Sequence, residues 1–407
     1  MMILSHFKKE ILPFIRISDY QKLAIEFWWQ AFEKDQNKIS DSFNPTLENN
    51  FNISSWMQEH LQNIDDDIMW EFGPGLQKKH RLIITSESKR QLRPLIQYML
   101  NESPDLEDWE FYEYRLPEDL NLAQQTMNIR TNWHNISNIE FELVEDKFNK
   151  IEIIYYICDS LNQEETNLYN CYILTESLLG EEILHKWIGH IDVQLKVKKK
   201  LFRKVKIFSQ SIEILKETVL KNIQEIKSDL FKDFYFMQIN NREVEWCVMK
   251  SSPIEQIDYS QKNDLYISSF ILTKNDLFNA LYKDYNNFSS ERFSNFNEIF
   301  LYLKIDGTSK DLNQDTFIDR VTIEDMLNES LLKDKLGCVI GGSTGLKYSY
   351  IDFALTDLTK AIQVMQKILQ EGKLTKRSWF LFSDDIYQSE WIGVYNDSLP
   401  PFIQNDN

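Results

Sequence analysis

The densest run of residues suited to chemistry is Gly337-Cys338-Val339-Ile340-Gly341-Gly342-Ser343-Thr344-Gly345, which holds four of the chain's eleven glycines. Glycine lets a backbone approach a ligand closely, so Gly341, Gly342, Ser343, Thr344 and Gly345, with Asp352 shortly after, form a candidate ligand loop. The pattern departs from a P-loop, which needs Lys-Ser/Thr directly after its last glycine and then a helix. Here Gly345 leads into Leu346-Lys347 and the strand-like Tyr348–Phe353. It departs from G-x-G-x-x-G as well, and a hairpin turn is the simpler reading.

Two other clusters invite chemistry. Glu182-Ile183-Leu184-His185 sets an acid and an imidazole on one helix face, but a di-iron bundle needs a second such step and two more glutamates. No second step occurs, and His185 and His190 read as ordinary histidines beside Trp187. Asp384, Asp385 and Glu390 follow an aromatic strand. Paired carboxylates can bind a divalent cation or share acid and base roles. They suit equally a polar turn before Trp391–Tyr395. There is no H-E-x-x-H, no G-x-S-x-G and no cysteine–histidine zinc spacing. The sequence assigns no catalytic residue, no metal ligand and no cofactor.

The elements that would hold these residues read as α+β. Residues 10–35 look helical around Phe27, Trp28, Trp29 and Phe32. One local pattern then recurs, an apolar run ending in Thr before a helical stretch: at Leu82–Thr85, Tyr172–Thr175, Phe270–Thr273 and Phe353–Thr356. Thr suits a helix N-cap, and an acid follows each within the first turn. Two copies extend into strand–helix–strand units, one ending at Trp109–Tyr112 and one at Trp379–Phe382, which suggests two related halves. Ile139, Phe141 and Leu143 alternate with Glu140 and Glu142, the period of a half-buried strand. Ile151–Cys158 reads as a second strand. Ile212, Leu215, Val219, Ile223, Ile226 and Leu230 recur at helical spacing and predict a helix covering a sheet.

Charge divides the chain further. The net charge of −18 is concentrated in residues 101–195, which carry five basic and twenty acidic groups. Residues 196–206 (KVKKKLFRKVK) carry seven basic groups and no acid. We read this run as a solvated linker between two domains, 1–200 and 207–407. Each is expected to be an antiparallel or mixed sheet with helices on one face. An acidic chain repels nucleic acid and anionic membranes, so neither is an expected partner. No apolar run reaches the length of a membrane span, and no signal-peptide pattern opens the chain. The four cysteines, Cys158, Cys171, Cys247 and Cys338, form no C-x-x-C pair and read as reduced thiols of a cytoplasmic protein.

Several strings together resemble bacterial domains of unknown function: Trp70–Gly75 (WEFGPG), His80–Thr85 (HRLIIT) with Leu92-Arg93-Pro94-Leu95, Trp109–Arg115 (WEFYEYR), and Leu179-Gly180-Glu181 with Trp187-Ile188-Gly189. The resemblance covers about residues 65–195. It implies a cytoplasmic α+β protein of a type that includes immunity-type partners of toxins, and it carries over no catalytic residue. The leading expectation is therefore a binding protein rather than an enzyme. Its acidic surface, with Glu110, Glu113, Glu140 and Glu142 as candidate contacts, would hold a basic protein. The rival expectation is a hydrolase or nucleotide-handling enzyme built on Gly341–Gly345 with Asp352, Asp384 or Asp385.

Overall fold

The computed structural model describes residues 11–401 except 45, 47–50, 132, 134, 158–163, 196–208, 241–243, 257–258, 260–261, 274–275 and 308–318. The fold is α+β, with three separate sheets among the described residues.

The first sheet follows two helices, α1 (Asp19–Ser42) and α2 (Ile53–Leu61). Ser18 starts α1 with a reciprocal capping box to Gln21, which satisfies orphan N–H groups at the helix start. β1 (Met69–Pro74) pairs antiparallel with β2 (His80–Thr85). Helix α3 (Arg93–Asn101) crosses over to β3 (Trp109–Tyr112), which lies parallel to β2. Trp28, Trp29 and Phe32 of α1 pack with Trp56, Leu82, Ile84 and Trp109. The fourth aromatic of that run, Phe27, points out and is 66% exposed.

The second sheet has the order β6-β5-β4-β7. Its elements are α4 (Leu120–Thr131), β4 (Glu140–Glu145), β5 (Ile151–Ile157), α5 (Glu164–Leu179), α6 (Glu181–Trp187), β6 (Ile188–Leu195), β7 (Gln210–Ser211) and α7 (Leu215–Asp229). β4 and β5 form an antiparallel hairpin, and β5 and β6 are parallel through the crossover α5–α6. Tyr172–Thr175, expected as a strand end, is interior to α5. Its apolar run of three is too short to distinguish a buried helix turn from a strand. Reading it correctly would have revealed a third strand–helix–strand crossover.

The expected boundary at 200–207 does not divide the packing. β7 pairs with Glu140 and Phe141 of β4, and Leu215, Val219, Ile223 and Ile226 of α7 pack into the same core as Phe141 and Ile153. The predicted amphipathic helix exists, but it covers the second sheet. The basic run itself and Cys158 lie outside the described residues.

The third sheet has seven strands in the order β14-β13-β10-β12-β11-β9-β8, all antiparallel. In chain order its elements are α8 (Tyr235–Asn240), β8 (Glu245–Lys250), β9 (Leu265–Leu272), α9 (Leu277–Lys283), β10 (Ile299–Asp306), α10 (Arg320–Asp334), β11 (Gly337–Gly345), β12 (Tyr348–Leu355), α11 (Leu358–Glu371), β13 (Ser378–Phe382) and β14 (Trp391–Gly393). Helices were expected on one face, but they pack on both. Leu327 of α10 and Met365 of α11 meet Leu301 and Phe353. Tyr235 of α8 and Leu277 of α9 meet Phe300 and Ala354, the alternate residues of the same strands. Strand β10 is buried along its whole length, as a strand covered on both faces must be.

The β12–α11–β13 unit has the predicted strand–helix–strand form. It differs from β2–α3–β3 because β10 is inserted between its strands. The three sheets meet through buried polar contacts. Asn149 donates to the Arg292 carbonyl at 2.6 Å, and Tyr387 Oη donates to Gln97 Oε1 at 2.6 Å.

Candidate functional site

Pairing register sorts the acidic strands of the second sheet. Residues directly opposite in a ladder share a face. Glu140 opposes Tyr156, Glu142 opposes Ile154, and Val144 opposes Glu152. Glu152 in turn opposes His190, Ile154 opposes Asp192, and Tyr156 opposes Gln194. One sheet face therefore carries four carboxylates, Glu140, Glu142, Glu152 and Asp192. No lysine or arginine lies among its β4, β5 and β6 residues. The helices take the other face, where Phe141, Ile151, Ile153, Tyr155 and Ile191 join the apolar residues of α4, α5 and α7. Val144, His190 and Gln194 on the acidic face are exposed, and the four carboxylates are partly exposed.

Local hydrogen bonds on this face hold two of the acids in place. Tyr156 Oη donates to Glu142 Oε2 at 2.9 Å, and Ser209 Oγ donates to Glu140 Oε2. Burial, and then the bond and charge of Glu142, raise the Tyr156 hydroxyl above its ordinary pKa, so it stays a donor. Glu142 and Asp192 lie on either side of Ile154, two strand spacings or roughly 10 Å apart. Their repulsion is a small cost to the fold that a cation laid across the sheet would relieve.

The other two expected contacts lie elsewhere. Glu110 is on β3 of the first sheet, where its carboxylate accepts N–H bonds from Leu76, Gln77 and Lys78. Burial opposes its ionisation, but those amide bonds prevail and its pKa falls below the ordinary value. Its task is to tie down the β1–β2 turn. Glu113 is only 2% exposed, and its carbonyl accepts from the buried guanidinium of Arg93. Neither reaches the acidic face. Other acids of this stretch are engaged inside the fold: Glu181 is fully buried against Arg93, and Glu176 takes Arg115 and Arg130 at 3.2 Å each. Composition gave no means of separating such internal acids from presented ones; Glu152 and Asp192 required the register.

The glycine-rich stretch is a strand. Gly341–Gly345 pairs with β9 on one side and β12 on the other, so the amides a phosphate loop would offer are engaged in ladders. The turn comes after it, at Leu346-Lys347. Close packing by charged side chains accounts for two of its glycines. A Cβ on Gly342 would strike the Arg320–Glu324 pair, and one on Gly345 would strike the Asp264 carboxylate. Asp264 secures that turn by accepting from Lys347 N at 2.9 Å, Tyr348 N at 2.8 Å and Tyr350 Oη at 2.7 Å.

Asp352 and Ser343 do converge, in a closed network. Asp352 pairs with Lys262 and accepts from Tyr282, whose hydroxyl lies 2.9 Å from Ser343 Oγ. The Lys262 ammonium lies between the rings of Tyr282 and Tyr302, 4.2 and 4.0 Å from their centres. Burial lowers the Lys262 pKa and the Asp352 charge opposes that shift. Ser343 and Asp352 are 0% and 2% exposed, so the hydroxyl and the carboxylate are enclosed, while Lys262 and Tyr282 are partly exposed. Asp384 and Asp385 are not part of this network. Asp384 accepts from Ser290 N at 2.7 Å, and Asp385 pairs with Arg90. The single site expected to combine them with Asp352 is not assembled. Thr344 takes a bond from Arg320 Nε at 3.3 Å.

Among the described residues, no group of three His, Cys, Asp or Glu side chains is arranged to hold a metal ion. No helix there is long and apolar enough to cross a membrane. No family model, curated protein or solved structure matches the chain.

Proposed function

We propose that this is a binding protein that holds a basic protein partner against the open face of its four-stranded sheet. The observation that carries the reading is the register, which gathers Glu140, Glu142, Glu152 and Asp192 on one face, with no lysine or arginine among the β4, β5 and β6 residues. Like charges gathered on one rigid surface steer an oppositely charged partner and speed its association, and salt weakens the effect. Val144 and Ile154 lie between the acids and supply apolar contact. An immunity-type role, as the resemblance in residues 65–195 implies, is one form of this activity.

The test is capture with immobilised full-length protein, comparing the wild type with a Glu140→Lys, Glu142→Lys, Glu152→Lys, Asp192→Lys variant. The proposal expects a stoichiometric basic protein that leaves the wild type at moderate salt and is not held by the variant. Equal retention by both proteins would remove this face from the account.

A further inference from the structure

The two edges of the seven-stranded sheet are finished differently. At one edge β14 spans only Trp391–Gly393, and side chains cap its end. Gln366 Nε2 donates to the Gly393 carbonyl at 2.7 Å and Gln370 Nε2 to the Val394 carbonyl at 2.6 Å. At the other edge β8 spans Glu245–Lys250 and pairs with β9 alone. Among the described residues, no hydrogen bond from any other element reaches its main chain. An open edge strand offers a row of N–H and C=O groups to another chain, and folds ordinarily blunt such edges with short strands, prolines, bulges or charges. β8 has no proline and no bulge in its pairing, and its centre, Trp246-Cys247-Val248-Met249, carries no charge. Trp246 is 46% exposed and Val248 63% exposed, and both are residue types that favour sheets.

The strand is suited to pair with a second copy of itself. Two antiparallel strands that continue one sheet are related by a two-fold axis perpendicular to it. Each face then stays a single face, so even-numbered residues meet even-numbered ones and odd meet odd. With the axis at Val248, Val248 meets its own counterpart, and Trp246 meets Lys250 of the second copy. An ammonium over an indole is a favourable cation–π pair. On the other face Cys247 meets Met249, and Glu245 meets Ser251. Ser251 still belongs to the ladder, since its N–H donates to the Tyr266 carbonyl at 2.9 Å. No like charges oppose one another in this register, and no charge faces an aliphatic side chain. The neighbouring registers are poorer. An axis at Cys247 sets Lys250 against Val244 and Glu245 against Met249, and an axis at Met249 sets Lys250 against Val248.

We propose that two copies of this chain join through β8 with the axis at Val248, making one continuous antiparallel sheet of fourteen strands, seven from each copy. Main-chain hydrogen bonds supply the affinity, and the two Trp246–Lys250 pairs fix the register. This interface lies on the third sheet and does not depend on the acidic face of the second.

The experiment follows the mass of the full-length protein by sedimentation equilibrium as its concentration rises. The expected result is a concentration-dependent doubling of mass. Val248→Lys places two ammonium groups on the axis. It should leave the protein monomeric at every concentration with Tm unchanged, because the position is exposed. Disulfide trapping reads the register. Facing Cα atoms of an antiparallel pair are about 4.5–5.5 Å apart, within disulfide reach. Val248→Cys in a Cys247→Ser background should therefore form a covalent dimer under mild oxidation, while wild-type Cys247, facing Met249, should not. A wild type that stays monomeric overturns the proposal, and it is the result expected if this edge takes an extended peptide of another protein instead. Association that survives Val248→Lys overturns it by moving the interface elsewhere. Trapping through Cys247 rather than through Val248→Cys overturns the register.

Discussion

The second and third sheets each carry a cluster of carboxylates, and the two clusters have opposite fates. On the second sheet, Glu140, Glu142, Glu152 and Asp192 share a partly exposed face, with no lysine or arginine among the residues of β4, β5 and β6. On the third, Asp352 is sealed beneath Lys262, Tyr282 and Tyr302, and Asp264 is consumed by a turn and a tyrosine. The difference is one of satisfaction. A buried carboxylate must find cations and donors within the fold, while an exposed one can leave its charge unanswered. Only charge that reaches the surface is available to another molecule.

The largest expected effect comes from opening the sealed cluster. Asp352→Ala leaves the Lys262 charge buried without its partner and should cost about 3–5 kcal/mol. Urea unfolding would measure this. The double variant with Lys262→Met should recover most of the loss. If it does not, the ion pair is not what makes Asp352 necessary.

Asp384 belongs with the sealed groups and gives a pH signature. Its folded pKa, about 7, lies above the ordinary 3.8, so between those values the folded protein keeps a proton that the unfolded chain releases. Its contribution to stability therefore falls as pH rises from about 4 to 7. Asp384→Asn should remove that fall, which is on the order of 4 kcal/mol at about 1.4 kcal/mol per pH unit. His185 runs the other way, since its folded value of about 3 costs stability as pH drops below its ordinary 6.5. The difference between wild type and Asp384→Asn isolates the aspartate. Parallel pH profiles for the two proteins would contradict the assignment.

Gly345→Ala examines the same side more gently. A Cβ there meets the Asp264 carboxylate, and overpacking of this kind costs about 1–3 kcal/mol. A variant as stable as wild type would show that Asp264 can move aside. The smallest stability effect is expected on the open face. Glu140→Gln and Glu142→Gln should each stay within about 0.5 kcal/mol, as exposed sites do. A loss of several kcal/mol would show that these acids are structural after all.

The contrast between the faces was only half legible in the sequence. The Glu140/Glu142 alternation with Phe141 could be read directly, because a strand's period of two needs no partner to be seen. Glu152 and Asp192 join that face only through pairing across β5 and β6, which local sequence does not encode. Glu110 and Glu113 looked equally suitable, yet one caps a turn and the other is buried. The glycine cluster misled for a related reason. Its glycines answer Asp264 and the Arg320–Glu324 pair, at least 18 residues away along the chain, and glycine types alone do not distinguish a ligand's approach from a side chain's. The strand–helix–strand units at Leu82 and Phe353 were visible because their periodicity is local. The boundary near residue 200 was misplaced because a run of lysines resembles a linker even where the chain beyond it returns to the same sheet.

The most direct test of the account is salt-graded capture on the open face, wild type against the Glu140, Glu142, Glu152 and Asp192 charge-reversal variant at matched folding. The account predicts one basic protein, held in stoichiometric amount at low salt by the wild type, released as salt rises, and lost from the variant. Retention of the same protein by the variant with the same salt dependence would contradict it.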